Sequence, residues 1–567
     1  LCYLAIYLGI VLFVLPPTGN AFLSDDGDYA ITVLDWVEHG RLRITDFPSM
    51  TLIGHLGWGW LFVKAFGASH VVLRASTMTM AWVGAFALYD LTIGYRRNRQ
   101  LAAFMAAAYV LNPLVLFYSY TFNTDVAGCS IMLVFLAVAH RIGRPLQIHQ
   151  AMGMGGLAAF SFLIRQTAAL PGIIWGIWLV VLVCRRELRL ASLMAYALTF
   201  FVPIAAYFLW LRLDYGWPIG YEKDFLNPSL LLNVKLVIVK VVRMCMAMTL
   251  YGLPVVLLLV SWQKSQRFAM LITACLSVLI TLCMFSFPSL LPVRPYWDVD
   301  LFDCGLGKLP EIAGLVPLLV SDKPPLACTP FSYFELVVVA ASTLGCLLLG
   351  YACVIRRNGF AVILSKVFDL ARMNGRTLAG LTLLAQFGLA ILIWIFYDRY
   401  FMPITTLMLV QFALTPWMRH AHLILGNLVL TVFTVLSVLG IQDAKAQWEA
   451  GWQLASQLQD RSIAPYNIWI GHQHFVAEAY PTRLREFLEK HDNRLHNLDR
   501  PDRERLVSWP REAQYHVRAL SPEQPFTTGL PNIDFTSWIR SYRFEVFKKD
   551  GLVPYETTLP ALKQEPR

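Results

Sequence analysis

The sequence predicts an all-α polytopic membrane protein, and three observations carry that expectation. Hydrophobic residues make up 57% and charged residues 15% of the 567 positions, with a mean hydropathy of +0.54. One soluble core cannot bury that much apolar sequence. Apolar runs near the spanning length of about 20 residues recur up to position 442 and then stop. Between them, short basic loops alternate with longer polar ones, as the two sides of a membrane require.

In chain order the apolar runs fall near 1–16, 72–95, 100–118, 125–140, 151–169, 170–184, 191–211, 244–262, 268–290, 334–355, 377–396, 401–417 and 422–441. They make roughly thirteen spans. The loops Arg96–Arg99, Arg141–Arg144, Arg185–Arg189, Lys264–Arg267, Arg356–Arg376 and Arg419 together hold sixteen Lys/Arg against two acids, Glu187 and Asp369. The positive-inside rule makes these cytoplasmic and places the intervening loops, with everything after Gln442, outside. The cytoplasmic loops account for the net charge of +10, which calls for no nucleic acid; attraction to anionic headgroups is its natural consequence. The run Gly153-x-Gly155-Gly156 reads as close helix packing. With no strand before it, and no Walker sequence or dinucleotide fingerprint, a cytoplasmic nucleotide-sugar donor is disfavoured.

The chain opens at Leu1 on a short span ended by Pro16-Pro17. The expectation is that residues precede it and that no cleaved signal peptide is present, there being no basic n-region or small-residue cleavage site. Three regions interrupt the helical pattern. In the outer loop 17–71, Ile31–Gly40 and Thr51–Phe66 read as short interfacial helices, with Trp36, Trp58 and Trp60 suited to headgroup depth. The outer loop 292–333, rich in Pro and aromatic residues, has the length of a lid or acceptor-binding loop. It holds two of the ten cysteines, Cys304 and Cys328, which an oxidising compartment would allow to pair. The tail 443–567 rises in charge and contains no spanning run, so the chain divides into a membrane core, 1–442, and an outside domain, 443–567. In that tail, His472 and His474 alternate as on the surface of a strand and have no third metal ligand nearby.

The polar residues that demand explanation lie in the outer loops. Leu23-Ser-Asp-Asp-Gly-Asp-Tyr-Ala30 sets Asp25, Asp26 and Asp28 where the chain first leaves the membrane. Carboxylates there serve as a general base, hold a metal, or cap the next helix, and residue type alone leaves these open. Arg165 and Arg399 stand at span ends, where an ionisable group is costly; each either binds an anion or snorkels to the headgroups. Arg74 and Arg243 read as snorkelers.

Asp25-Asp26-Gly27-Asp28-Tyr29-Ala30 resembles the Asp-Glu-x-x-Tyr-Ala motif of the first outer loop in the polyprenyl-phosphate-sugar-dependent glycosyltransferases. That family includes the bacterial aminoarabinose transferase of lipid A and the protein O-mannosyltransferases of family 39. Asn112-Pro113 and then Tyr120-Thr-Phe-Asn-Thr-Asp-Val126 resemble its Thr-Asp motif, and closely so in a bacterial branch. Leu163-Ile-Arg-Gln-Thr167 is similar to the Arg-Gln of that branch, Tyr397-Asp-Arg-Tyr-Phe-Met-Pro403 to its Arg-Tyr-x-x-Pro stretch, and Trp448–Gly471 to the start of its outer domain. Two departures stand out. Asp26 occupies the place of a usual Glu, and the Lys-Pro-Pro step is absent, with Asp46-Phe47-Pro48-Ser49 nearby.

The resemblance implies the GT-C fold, a transmembrane core with outer-loop jaw helices and a small C-terminal outside domain. It also implies an inverting transfer from a polyprenyl-phosphate sugar to a lipid, glycan or protein acceptor at the outer face of a bacterial inner membrane. On this reading Asp25 is the base, and Asp26 and Asp125 complete the catalytic set. Arg165 and Arg399 take the leaving phosphate, and Tyr29, Gln166 and Tyr397 contact substrate. A divalent cation (Mg²⁺, Mn²⁺ or Ca²⁺), if used, would fall to Asp25 and Asp125. The alternative is a transporter or flippase of lipid-linked sugars, which calls for broken helices and ionisable residues near the midplane. Clustering of the polar residues at one interface favours the enzyme.

Overall fold

The computed structural model describes residues 9–19, 26–40, 42–45, 51–142, 146–215, 234–259, 273, 275–277, 279, 340–350, 375–392, 400–414, 423–469, 515–520, 530–536 and 541–548. Asp25, Tyr397, Arg399, Cys304, Cys328, His472 and His474, with the whole of loop 292–333, lie outside the described residues, as does most of the expected span 268–290. The chain divides into two units, 1–444 and 445–567.

The first unit is helical. Two short helices, α1 (Asp26–His39) and α2 (Ile53–Phe66), lie in the segment 17–71, where interfacial helices are expected. Then come α3 (His70–Arg96), α4 (Arg99–Val110), α5 (Pro113–Ser119), α6 (Thr124–Arg141), α7 (Ile148–Ile164), α8 (Leu170–Cys184) and α9 (Leu190–Trp210). Further along lie α10 (Val234–Tyr251), α11 (Leu253–Leu259), α12 (Ala340–Gly350), α13 (Gly375–Leu392), α14 (Phe401–Ala413) and α15 (Leu423–Asp460). Among the described residues six helices are long and apolar enough to cross a membrane, and shorter apolar helices cover 148–164, 340–350 and 401–413. This is a multi-pass membrane architecture.

Starts and breaks follow local chemistry. Ser69 caps α3 by accepting from the Val71 N–H at 3.2 Å, and Asn98 caps α4 by accepting from Leu101 at 2.8 Å. The expected span 100–118 is two helices bent by 59°. Asn112 accepts from the Leu114 N–H at 3.1 Å and Pro113 follows at the first helical position, the pairing that starts a new helix. Similarly, the expected span 244–262 is broken at Gly252, between α10 and α11.

Among the described spanning helices α6 is the most enclosed, 78% of its apolar window being buried against 22% for α9. Leu198, Phe201, Val202 and Leu209 on α9 are exposed, as apolar side chains on a lipid-facing helix surface are. Inside, several polar groups are paired. The hydroxyls of Tyr109 and Ser130 lie 2.9 Å apart, beside Gly84. Arg74, read from sequence as a snorkeler, is instead 2% exposed and donates through Nη1 to the carbonyls of Pro17, Thr18 and Gly19 at 3.3, 3.1 and 2.9 Å. Those carbonyls follow the first helical turns of the chain, where peptide oxygens lack helical partners, so a buried guanidinium is satisfied there without reaching the headgroups. The side chain of Arg243 lies outside the described residues.

The second unit contains a four-stranded sheet that its low hydropathy hides. Strands β1 (Ile468–Trp469), β2 (Tyr515–Leu520), β3 (Asn532–Thr536) and β4 (Ser541–Lys548) lie in the order β1-β2-β4-β3. β1 runs parallel to β2 and the other pairs are antiparallel, with Val517 opposite Val546 and Ile533 opposite Phe544. Ala450, Leu454, Ala455 and Leu458, on one face of the end of α15, bury against Ile468 and Val546.

The glycine run in α7 separates into two roles. A methyl group at Gly155 would strike Thr199 Oγ1 and the Tyr196 carbonyl of α9, whereas one at Gly153 would meet nothing within 4 Å. Gly155→Ala is therefore expected to destabilise the protein by about 1 to 3 kcal/mol and lower its apparent unfolding temperature in detergent. Gly153→Ala is expected to leave that temperature unchanged or raise it slightly.

Candidate active site

Helix α1 begins at Asp26, with Asp26 and Asp28 in its first turn, 2% and 5% exposed. Carboxylates suit that place because the first N–H groups of a helix lack helical acceptors. Tyr29, one residue on, is 4% exposed. Facing these residues is the loop 120–125, whose every residue is buried. Tyr120 donates its hydroxyl to the Leu15 carbonyl at 2.6 Å, and Thr121 donates to Tyr118 at 2.9 Å. The Phe122 N–H points at Asp26 Oδ2, 3.4 Å away, linking the two acidic motifs.

Phe122 sits where it does because Gly59 of α2 has no side chain. A Cβ there would collide with the ring. The same ring stacks on His55, one turn earlier in α2, with centroids 4.2 Å apart, and His55 Nε2 lies 3.4 Å from the Phe122 carbonyl. Burial pushes His55 down to about 4, the contact with the Phe122 carbonyl opposing this only in part. The imidazole is neutral at ordinary pH and serves as packing. Trp58 of the same helix donates to the Ser76 carbonyl at 3.0 Å, and Trp36 stacks on Trp60 at 5.3 Å.

Asp125 stands in the first turn of α6, 2% exposed. Arg165 ends α7 in an extended conformation (φ −159°, ψ 126°) before the 3₁₀ turn Gln166–Ala169. Its Nη1 lies 2.8 Å from Asp125 Oδ1 and donates to Thr124 Oγ1 at 3.0 Å. The side chains of the pair are 8% and 2% exposed. Gly128, one turn beyond Asp125, lets the arginine stem lie against α6; a Cβ there would already touch Arg165 Cβ and Cδ at 3.4 Å. The ring of Tyr400, ahead of α14, has its centroid 5.8 Å from the guanidinium carbon. Gln166 is half-buried, and the next carbonyl, Thr167, accepts from Gln386 Nε2 of α13 at 2.8 Å.

Four segments far apart in sequence thus meet: Asp26, the loop 122–125, Arg165 and Tyr400. Sequence reasoning missed Asn123 and His55, both fully enclosed. Asn123 sits inside a quoted motif, and His55 is a lone polar residue in an apolar helix, so each offered a faint signal. Among the described residues no three His, Cys, Asp or Glu side chains gather as metal ligands. The neighbour of Asp125 is itself a cation, so the described donor set does not fit a divalent ion.

No family model matches the sequence, and no curated protein matches it. Two crystal structures of ArnT from Cupriavidus metallidurans are similar to the chain at 13% identity and a TM-score of 0.38. The one bound to undecaprenyl phosphate covers 96% of this chain and 97% of its own, and the apo one 92% and 93%.

Two expectations follow from this geometry. Removing one partner of a buried ion pair strands the other charge, at a cost of about 3 to 5 kcal/mol. Asp125→Asn and Arg165→Met should each lower the unfolding temperature, and the double substitution should be less destabilising than the two singles added; simple additivity in a double-mutant cycle would refute the coupling. The second concerns pH. An unfolded chain protonates His55 near 6.5, while the folded protein withholds the proton until about 4. The stabilising contribution is complete above pH 6.5 and is lost as pH falls toward 4. The gap in unfolding temperature between wild type and His55→Gln should shrink over that window and stay constant above it.

Proposed function

We propose that this chain is a GT-C glycosyltransferase. It transfers a sugar from a polyprenyl-phosphate donor to a lipid, glycan or protein acceptor at the outer face of a bacterial inner membrane, with inversion at the anomeric carbon and with the C-terminal unit outside the cytoplasm. The observation that carries this reading is the meeting of Asp26, Thr124-Asp125 and Arg165 in one buried cluster. These residues come from three motifs that resemble the family's in order, and unrelated loop residues have no reason to converge.

The reaction needs a base for the acceptor hydroxyl and a cation for the departing phosphate. The acceptor oxygen attacks the anomeric carbon opposite the phosphate, the carbon–oxygen bond to phosphate breaks, and the hydroxyl proton passes to a carboxylate. Asp25, next to the helix start at Asp26, is assigned as that base. Asp26 is anchored by the Phe122 N–H and orients its neighbour. Arg165 presents a guanidinium fixed by Asp125 and Thr124, and Arg399, adjacent to Tyr400, supplies the second cation; guanidinium forks suit phosphate oxygens. Tyr29, Gln166 and Tyr397 are assigned to substrate contacts, and no step is assigned to a metal.

The test is transfer by purified protein in detergent, with a panel of polyprenyl-phosphate sugars and total membrane lipid as acceptor source. Asp25→Asn is expected to reduce turnover by about 10² to 10⁴ while leaving the unfolding temperature unchanged. Movement of lipid-linked sugar across liposomes without turnover, indifferent to Asp25→Asn, would refute the transferase in favour of a transporter.

A further inference from the structure

One polar side chain in this cluster has no partner. Asn123 is 1% exposed, and both its amide oxygen and its amide nitrogen lack any hydrogen bond. It precedes the 18-residue helix α6 in an extended conformation (φ −100°, ψ 152°), the position from which an Asn ordinarily caps a helix, yet it makes no cap bond. An enclosed amide left wholly unpaired is costly, and native proteins seldom retain one without use. Its chain neighbours are both engaged: the Phe122 N–H faces Asp26, and Thr124 accepts from Arg165.

We infer that Asn123 is a substrate-binding residue whose amide receives a sugar hydroxyl, an assignment that rests on the glycosyltransferase reading and deepens it. The chemistry selects the class of ligand. A carboxamide offers two N–H donors and one acceptor, so a complementary group must donate as well as accept. A phosphate diester has no donor to give. A hydroxyl, or a vicinal pair of them, satisfies both amide atoms. Division of labour in the site follows: guanidinium groups take the phosphate, and the amide at the mouth of α6 reads the sugar. The hydroxyl belongs either to the donor sugar or to a glycan acceptor, and the experiment separates the two.

Asn123→Leu is the decisive variant, because it removes an amide that nothing satisfies in the unliganded chain. Its unfolding temperature without ligand is expected to equal or exceed that of wild type, as replacing an unpaired buried polar group by an apolar one is neutral or stabilising. Binding is measured by thermal shift and by titration with undecaprenyl phosphate, undecaprenyl-phosphoryl-mannose and undecaprenyl-phosphoryl-arabinose. Affinity for bare undecaprenyl phosphate should be kept, while a sugar-bearing carrier that wild type prefers should bind about tenfold more weakly, the loss of one to two hydrogen bonds. That pattern assigns the hydroxyl to the donor. Unchanged carrier binding, with an about tenfold rise in the membrane-lipid concentration needed for half-maximal transfer, assigns it to the acceptor.

A fall in stability without ligand, with binding and transfer unaltered, would mean that the amide is satisfied by buried water and would overturn the inference. So would wild-type behaviour in every readout. Where leucine prevents folding, Asn123→Ala yields the same pair of measurements without added bulk. Failure of wild type to bind undecaprenyl phosphate in any form would refute the glycosyltransferase reading itself, and this inference with it.

Discussion

The described half of the site depends on one interaction, the ion pair between Asp125 and Arg165 inside a membrane-embedded bundle. Both side chains are almost fully enclosed, so each charge is tolerable only in the presence of the other. Most of the surrounding arrangement follows from that need. Helix α6 must begin at Thr124 so that Asp125 falls in its first turn. The chain must leave helical geometry at Arg165, between α7 and the 3₁₀ turn, for the guanidinium to arrive beside it. Gly128 leaves the arginine stem close against α6, where an added Cβ would come into van der Waals contact with it.

The pair also explains why so polar a cluster resides in so apolar a protein. Arg165 spans two elements of the site, holding the Thr124 hydroxyl and the Asp125 carboxylate together beneath the Tyr400 ring. Through the chain, Thr124 connects to Phe122, whose N–H reaches Asp26 on the other acidic motif. A charge that cannot be exposed has become the fastener for loops that must be positioned. Thr167, two residues past the arginine, ties the same turn to α13 through Gln386.

Much of this was legible in the sequence, for definite reasons. Spans announce themselves because about twenty consecutive apolar residues have few other uses. The residues Asp26, Asp125 and Arg165 stand out because charged groups at span ends are expensive. Breaks were harder to see. Asn112-Pro113 is a helix-start signal, but hydropathy summed over 100–118 conceals a bend of 59°. The strands 515–520, 532–536 and 541–548 were invisible because their charged residues dilute the alternation. Arg74 was misread because sequence cannot tell whether a cation near a span end meets headgroups or the bare carbonyls of Pro17, Thr18 and Gly19. Asn123 and His55 escaped for a related reason: single polar residues make no pattern, and only tertiary enclosure reveals that they are dry.

The vacancy at Gly59 has a mechanical consequence. The Phe122 ring rests in that notch and against His55, so α2 grips the loop 120–125 from outside the bundle. The peptide that carries this ring also carries the N–H directed at Asp26. A tilt of α2 along the membrane surface therefore cannot stay local. It must drag the ring, the ring must drag the loop, and the spacing of the two acidic motifs must change with it. The packing thus couples the position of the first-loop helix to the geometry of the charged centre.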